Sequence, residues 1–92
     1  MPQVFKVGSY LVYFWLNESN PLEPVHVHIA EKTPVKAGTK VWITKAGKAL
    51  LCNNNSGIPE RKLRIIMNII EARHSEIENR WIEKFGQIRY YC

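Results

Sequence analysis

Two histidines stand one residue apart in the segment Glu23-Pro24-Val25-His26-Val27-His28-Ile29-Ala30. Imidazole titrates near neutrality, so a held pair can move a proton, ligate a metal or dress a polar surface. The segment reads as a β-strand. Side chains alternate along a strand, so both rings point to one face while Val25, Val27 and Ile29 point to the other. The chain has 3 histidines in all. Two of them on one face make that face the first place to look for chemistry.

Imidazoles at alternate strand positions lie about 7 Å apart at Cβ, near enough to share one zinc. Zinc takes at least three protein ligands. The remaining histidine, His74, falls in an apolar helical stripe, where a boundary role is the simpler reading. Glu18 and Glu23 are the nearer carboxylates. No Cys-x-x-Cys or His-Glu-x-x-His motif occurs. The expected cofactor is therefore none, and His26 and His28 are the residues to consider if zinc were held at all. Acid–base catalysis asks for less: one or two imidazoles, and cations to hold a polyanionic substrate. On that reading His26 and His28 are the candidate catalytic residues. Lys40, Trp42, Thr44, Lys45, Lys48 and Glu18 are the candidate binding residues around them. The chain contains no aspartate, which excludes an EF-hand loop, an aspartic dyad and a Ser-His-Asp triad within it. It also lacks the Gly-x-Ser-x-Gly elbow and a phosphate-cradling glycine loop.

The elements that must hold these residues run β first, then α. Val4–Val7 reads as a first strand, closed by the turn Gly8-Ser9. Tyr10–Leu16 is an unbroken apolar and aromatic run, which implies a central strand covered on both sides. Asn17-Glu18-Ser19-Asn20-Pro21 is a turn cluster. Val25–Ala30 and Thr39–Thr44 are the third and fourth strands. In the fourth, Lys40, Trp42 and Thr44 share one face and Val41 and Ile43 the other. Lys45-Ala46-Gly47-Lys48 turns the chain into a short fifth strand, Ala49–Cys52. After the Asn53–Gly57 loop, Pro59 suits a helix start and Ile58 with Leu63 can staple it. Leu63, Ile66, Ile70, His74, Ile77, Trp81 and Phe85 then form one helical stripe. It reads as one long helix ending at Gly86, with a break near Arg73-His74-Ser75 as the alternative.

The expected fold class is α+β: an N-terminal antiparallel sheet of about four to five short strands packed on one long C-terminal helix, straight or kinked. Residues 1–92 form one domain, with the sheet over 3–52, the helical part over 59–86 and a short tail over 87–92. The stripe should cover Val25, Val27, Ile29, Val41 and Ile43. The opposite face then carries His26, His28, Lys40, Trp42 and Thr44. It is joined by either Leu11, Tyr13 and Trp15 or Tyr10, Val12, Phe14 and Leu16. A face of this composition fits a homodimer or partner contact, a base-stacking platform or a small-molecule site.

Composition narrows the field. Hydrophobic residues make up 46% and charged residues 23%, the balance of an ordinary globular domain. No apolar run approaches the roughly 18 residues needed to span a bilayer, and Met1–Lys6 does not begin a signal peptide. With 2 cysteines, Cys52 and Cys92, free thiols in a reducing cytoplasm are expected. The net charge is +5. Pro59–Phe85 is nearly neutral, and the surplus lies in the sheet half, where Lys32, Lys36, Lys40, Lys45 and Lys48 cluster. Such a cluster attracts polyanions; it also keeps hairpins and edges soluble.

Several of these segments together resemble a family of small bacterial proteins grouped as a domain of unknown function, number 4160. They are Gly8-x-Tyr10, Asn17-Glu18, Glu23–Ile29, Lys40-Val41-Trp42-Ile43, Gly57-Ile58 with Leu63, and Trp81-x-x-x-Phe85-Gly86. Pro59 and Lys62 depart from the Ser and Glu of the family's capping box, and Ile88–Cys92 extends past its pattern. The resemblance implies a cytoplasmic bacterial protein without an established activity. It implies a small protein partner in a toxin–antitoxin-like pair, and RNA or DNA as a candidate target. It supplies no catalytic residues. Two functions stay open: an interaction module binding a protein partner or a second copy, with nucleic-acid contact through the His/aromatic/Lys face, or a small toxin-like ribonuclease or hydrolase using His26 and His28.

Overall fold

The computed structural model describes residues 3–16 and 23–92. The turn cluster expected at 17–21, Glu18 included, lies outside the described residues. Five strands, β1 (Gln3–Val7), β2 (Tyr10–Tyr13), β3 (His26–Glu31), β4 (Thr39–Ile43) and β5 (Ala49–Asn53), precede two helices, α1 (Glu60–Ala72) and α2 (His74–Phe85). The strands form one antiparallel meander in the order β1-β2-β3-β4-β5. The class is therefore α+β, as the order of elements required.

The apolar faces meet as the strand alternation demands. Val25, Val27, Ile29, Val41 and Ile43 are fully buried, and Leu63, Ile66, Ile70, Ile77 and Trp81 from the helices join them in one core. A bulge in β1 between Gln3 and Phe5 puts both Val4 and Phe5 into that core. Expected and observed strands differ most at β2, which leaves the ladder after Tyr13 rather than at Leu16. Phe14 is instead packed on Trp81, with ring centroids 5.0 Å apart, and on Phe85 at 5.7 Å.

The single long helix is corrected to two helices, broken at Arg73 (φ −112°, ψ 22°). The Arg73 N–H donates to the Ile69 and Ile70 carbonyls, and its guanidinium lies 4.0 Å from the Phe5 ring centroid. The break lets α1 stay beside β5 and α2 beside β1. At the start of α1, Ile58 and Leu63 are both buried, as a staple requires. Pro59 caps without a side-chain bond. The preceding loop does the holding: Asn54 Nδ2 donates to the Ile58 carbonyl at 2.9 Å and Asn54 Oδ1 accepts the Ile58 N–H at 3.0 Å. Thr39, fully buried, donates its hydroxyl to the same Asn54 Oδ1 at 2.7 Å.

Gly47 turns the β4–β5 hairpin with φ +79°, and a Cβ there would come within 2.7 Å of His74 Nε2. Only glycine meets both conditions. On the outer edge of the sheet, the Ala49 N–H donates to the Glu71 carboxylate at 3.0 Å. Among the described residues, no helix is long and apolar enough to cross a membrane. Cys52 and Cys92 are free and exposed thiols.

Candidate functional site

The face opposite the helices is assembled by register. Tyr13 of β2 pairs with His28, His28 pairs with Lys40, and His26 pairs with Trp42. Cross-strand neighbours in an antiparallel ladder bring their side chains into contact. The His26 and His28 rings lie 5.1 Å apart, edge to face. His28 stacks on Tyr13 at 5.7 Å, His26 meets Trp42 at 5.6 Å, and Trp15 meets Tyr13 at 5.5 Å. The register thus selects Leu11, Tyr13 and Trp15, not the other half of the second strand, to join the histidines.

This face is filled rather than open. His26 is 0% exposed and His28 7%. The chain between β3 and β4 folds back over Tyr13, whose hydroxyl donates to the Val35 carbonyl at 2.6 Å and accepts the Val35 N–H at 3.0 Å. Gly38 is pressed against the same hydroxyl: a Cβ on it would lie 2.5 Å from Tyr13 Oη. His26 also reaches the helix side, 5.3 Å from Trp81. The stripe residue Trp81 thereby supports the candidate site as well as the core.

Both imidazoles have a settled orientation. His26 Nδ1 lies 2.9 Å from the Pro24 carbonyl oxygen and His28 Nδ1 3.2 Å from that of Gly38. A carbonyl only accepts, so each Nδ1 carries the hydrogen, and in the neutral ring Nε2 is the basic nitrogen. That tautomer suits a ligand or a general base. However, no group of three or more His, Cys, Asp or Glu among the described residues could hold a metal ion.

The candidate cations divide into two kinds. Lys40 is engaged: its Nζ lies 2.9 Å from Glu23 Oε1 and 4.4 Å from the Trp42 ring centroid. Lys45 and Lys48 are exposed on the β4–β5 hairpin, as are Lys32 and Lys36 beyond β3. Thr44 belongs to the turn, where its hydroxyl oxygen accepts the Lys48 N–H at 3.1 Å. His74 is a boundary residue, paired through Nδ1 with Glu78 at 3.1 Å. Tyr90, absent from the candidates read in the sequence, donates to the other Glu78 oxygen at 2.9 Å. Burial first, then this bond and the Glu78 charge, hold the Tyr90 phenol above its ordinary value of 10.0.

Fold and site together define a small sheet-and-helix domain whose second sheet face is a packed cluster of histidine and aromatic rings. The chain belongs to the domain of unknown function DUF4160, whose family model matches residues 9–82. No curated protein and no solved structure matches it.

Proposed function

We propose that this protein is a binding module for a small protein partner, acting in a toxin–antitoxin-like pair in the cytoplasm, with RNA or DNA contact through its exposed lysines. The observation that carries this reading is the consumption of the candidate catalytic groups by the fold. His26 and His28 are buried, and the ammonium best placed to hold a phosphate beside them, Lys40, is paired with Glu23. A hydrolase needs its base and its cation turned toward a substrate. What the molecule turns outward is different: the hairpin lysines Lys45 and Lys48, and Leu50 and Leu51 on β5.

The ribonuclease or hydrolase reading draws on one observation, the shared tautomer that makes Nε2 the basic nitrogen of both rings. The double variant His26→Ala with His28→Ala separates the two. A binding module loses stability but shows no RNA cleavage before or after substitution. Cleavage by the parent that disappears in a variant with native circular dichroism would overturn the binding-module reading.

A further inference from the structure

The chain after α2 is built into the sheet. Gly86, in the left-handed conformation at φ 76°, ends the helix. The strap Gln87–Cys92 then crosses the ends of β3 and β4. Two main-chain amides receive it: the Val25 N–H donates to the Arg89 carbonyl at 2.8 Å, and the Lys45 N–H donates to an oxygen of Cys92 at 3.0 Å. Between these points Tyr91 lies flat on Trp42, with centroids 4.7 Å apart and planes 5° from parallel. Tyr90 is half-buried, packed on the core and bonded to Glu78.

Three features make this a seat with a removable occupant. Tyr91 is 59% exposed, so it covers one face of Trp42 while much of its own surface stays in water. Every residue of the seat, Val25, Trp42 and Lys45, lies within the family match at 9–82, whereas the strap lies outside it. And two of the three contacts are backbone N–H groups that donate to main-chain oxygens of the strap, the chemistry of strand addition. A nucleobase would use the stack alone.

We propose that Val25 N–H, Lys45 N–H and the covered face of Trp42 form the docking site for an extended partner segment bearing an aromatic side chain. The strap fills this site in cis until that segment displaces it. The proposal rests on the binding-module reading and says where the partner sits. A tethered segment competes at an effective concentration in the millimolar range, so the strap sets a threshold that only a well-matched partner exceeds.

The test uses the 92-residue chain and, as probe, a synthetic peptide of Gln87–Cys92 under reducing conditions, followed by tryptophan fluorescence. Tyr91→Ala should bind this peptide at least tenfold more tightly than the parent, and a peptide with Ala in place of its second tyrosine should not bind. Equal binding by both chains, or none by a natively folded Tyr91→Ala, would overturn the proposal. If that variant does not fold, amide exchange in the parent decides. Val25 and Lys45 amides exchanging at least tenfold faster than those of Val27 and Val41 support a displaceable strap; equal rates overturn it. A parent dimer that Tyr91→Ala dissolves would make the occupant a second copy and overturn the assignment to a different protein. Peptide binding alongside histidine-dependent cleavage would leave the seat standing while the binding-module reading falls.

Discussion

Buried polar residues on the second sheet face act through what they hold in place. Gly38 accepts from His28 and abuts Tyr13, so Gly38→Ala forces the hydroxyl off Val35 or moves the chain. Overpacking of this kind costs about 1–3 kcal/mol. Urea unfolding should show that loss, with the unfolding slope unchanged. Tyr90 gives a test by pH. Its phenol is held above 10.0, so the folded chain keeps the proton more tightly than the unfolded one. The stability this contributes is fully present below pH 10 and is lost as pH rises through the raised value. Near-ultraviolet circular dichroism should therefore show an alkaline transition that Tyr90→Phe removes. A transition unaffected by that change would place its cause elsewhere. The histidine pair itself was legible from alternation alone. Its burial was not, because that depends on the chain around Val35 folding back, and nothing in the local pattern of residues 32–38 announces it.

At the scale of elements, strand faces were readable because period two separates Val41 and Ile43 from Lys40, Trp42 and Thr44 without ambiguity. The choice between the two halves of the second strand depended on register, which is a pairing property of β2 with β3 and has no signal within Tyr10–Leu16. Helix continuity stays open in the sequence, between one long helix and a break near Arg73-His74-Ser75, for a similar reason. The stripe from Leu63 to Phe85 keeps its period through Arg73, so periodicity alone carries no sign of the break there. The β5–α1 connection shows in the sequence only as a loop, yet Asn54 ties Thr39 of β4 to the entry of α1. Asn54→Ala leaves buried partners on Thr39 and Ile58 unsatisfied, at about 1–3 kcal/mol each before relaxation. We expect a loss of at least about 2 kcal/mol by thermal unfolding. Asn55→Ala, whose side chain is exposed, should change little.

For the whole molecule, charge is the property that reaches furthest. The net charge of +5 is carried outward by Lys32, Lys36, Lys45 and Lys48, while Lys40 is neutralised internally. If single-stranded RNA binds, each phosphate contact contributes about −0.7 to the slope of log affinity against log salt. Lys45→Ala and Lys48→Ala should each reduce the slope by about that amount, and Lys40→Ala should leave it nearly unchanged. An equal effect from Lys40→Ala would show that the Glu23 pair opens on binding.

The carboxylate of Glu71 on the Ala49 amide has a consequence for how copies of this protein behave in crowded solution. β5 is an outer strand with Leu50 and Leu51 exposed, the kind of edge on which further strands can polymerise. Glu71 occupies an outward-pointing N–H of that edge and sets a negative charge beside it. It therefore works as a chain terminator for sheet growth. Glu71→Ala should shorten the lag before fibrils form under agitation, as followed by thioflavin fluorescence, even where the folded state keeps its melting temperature.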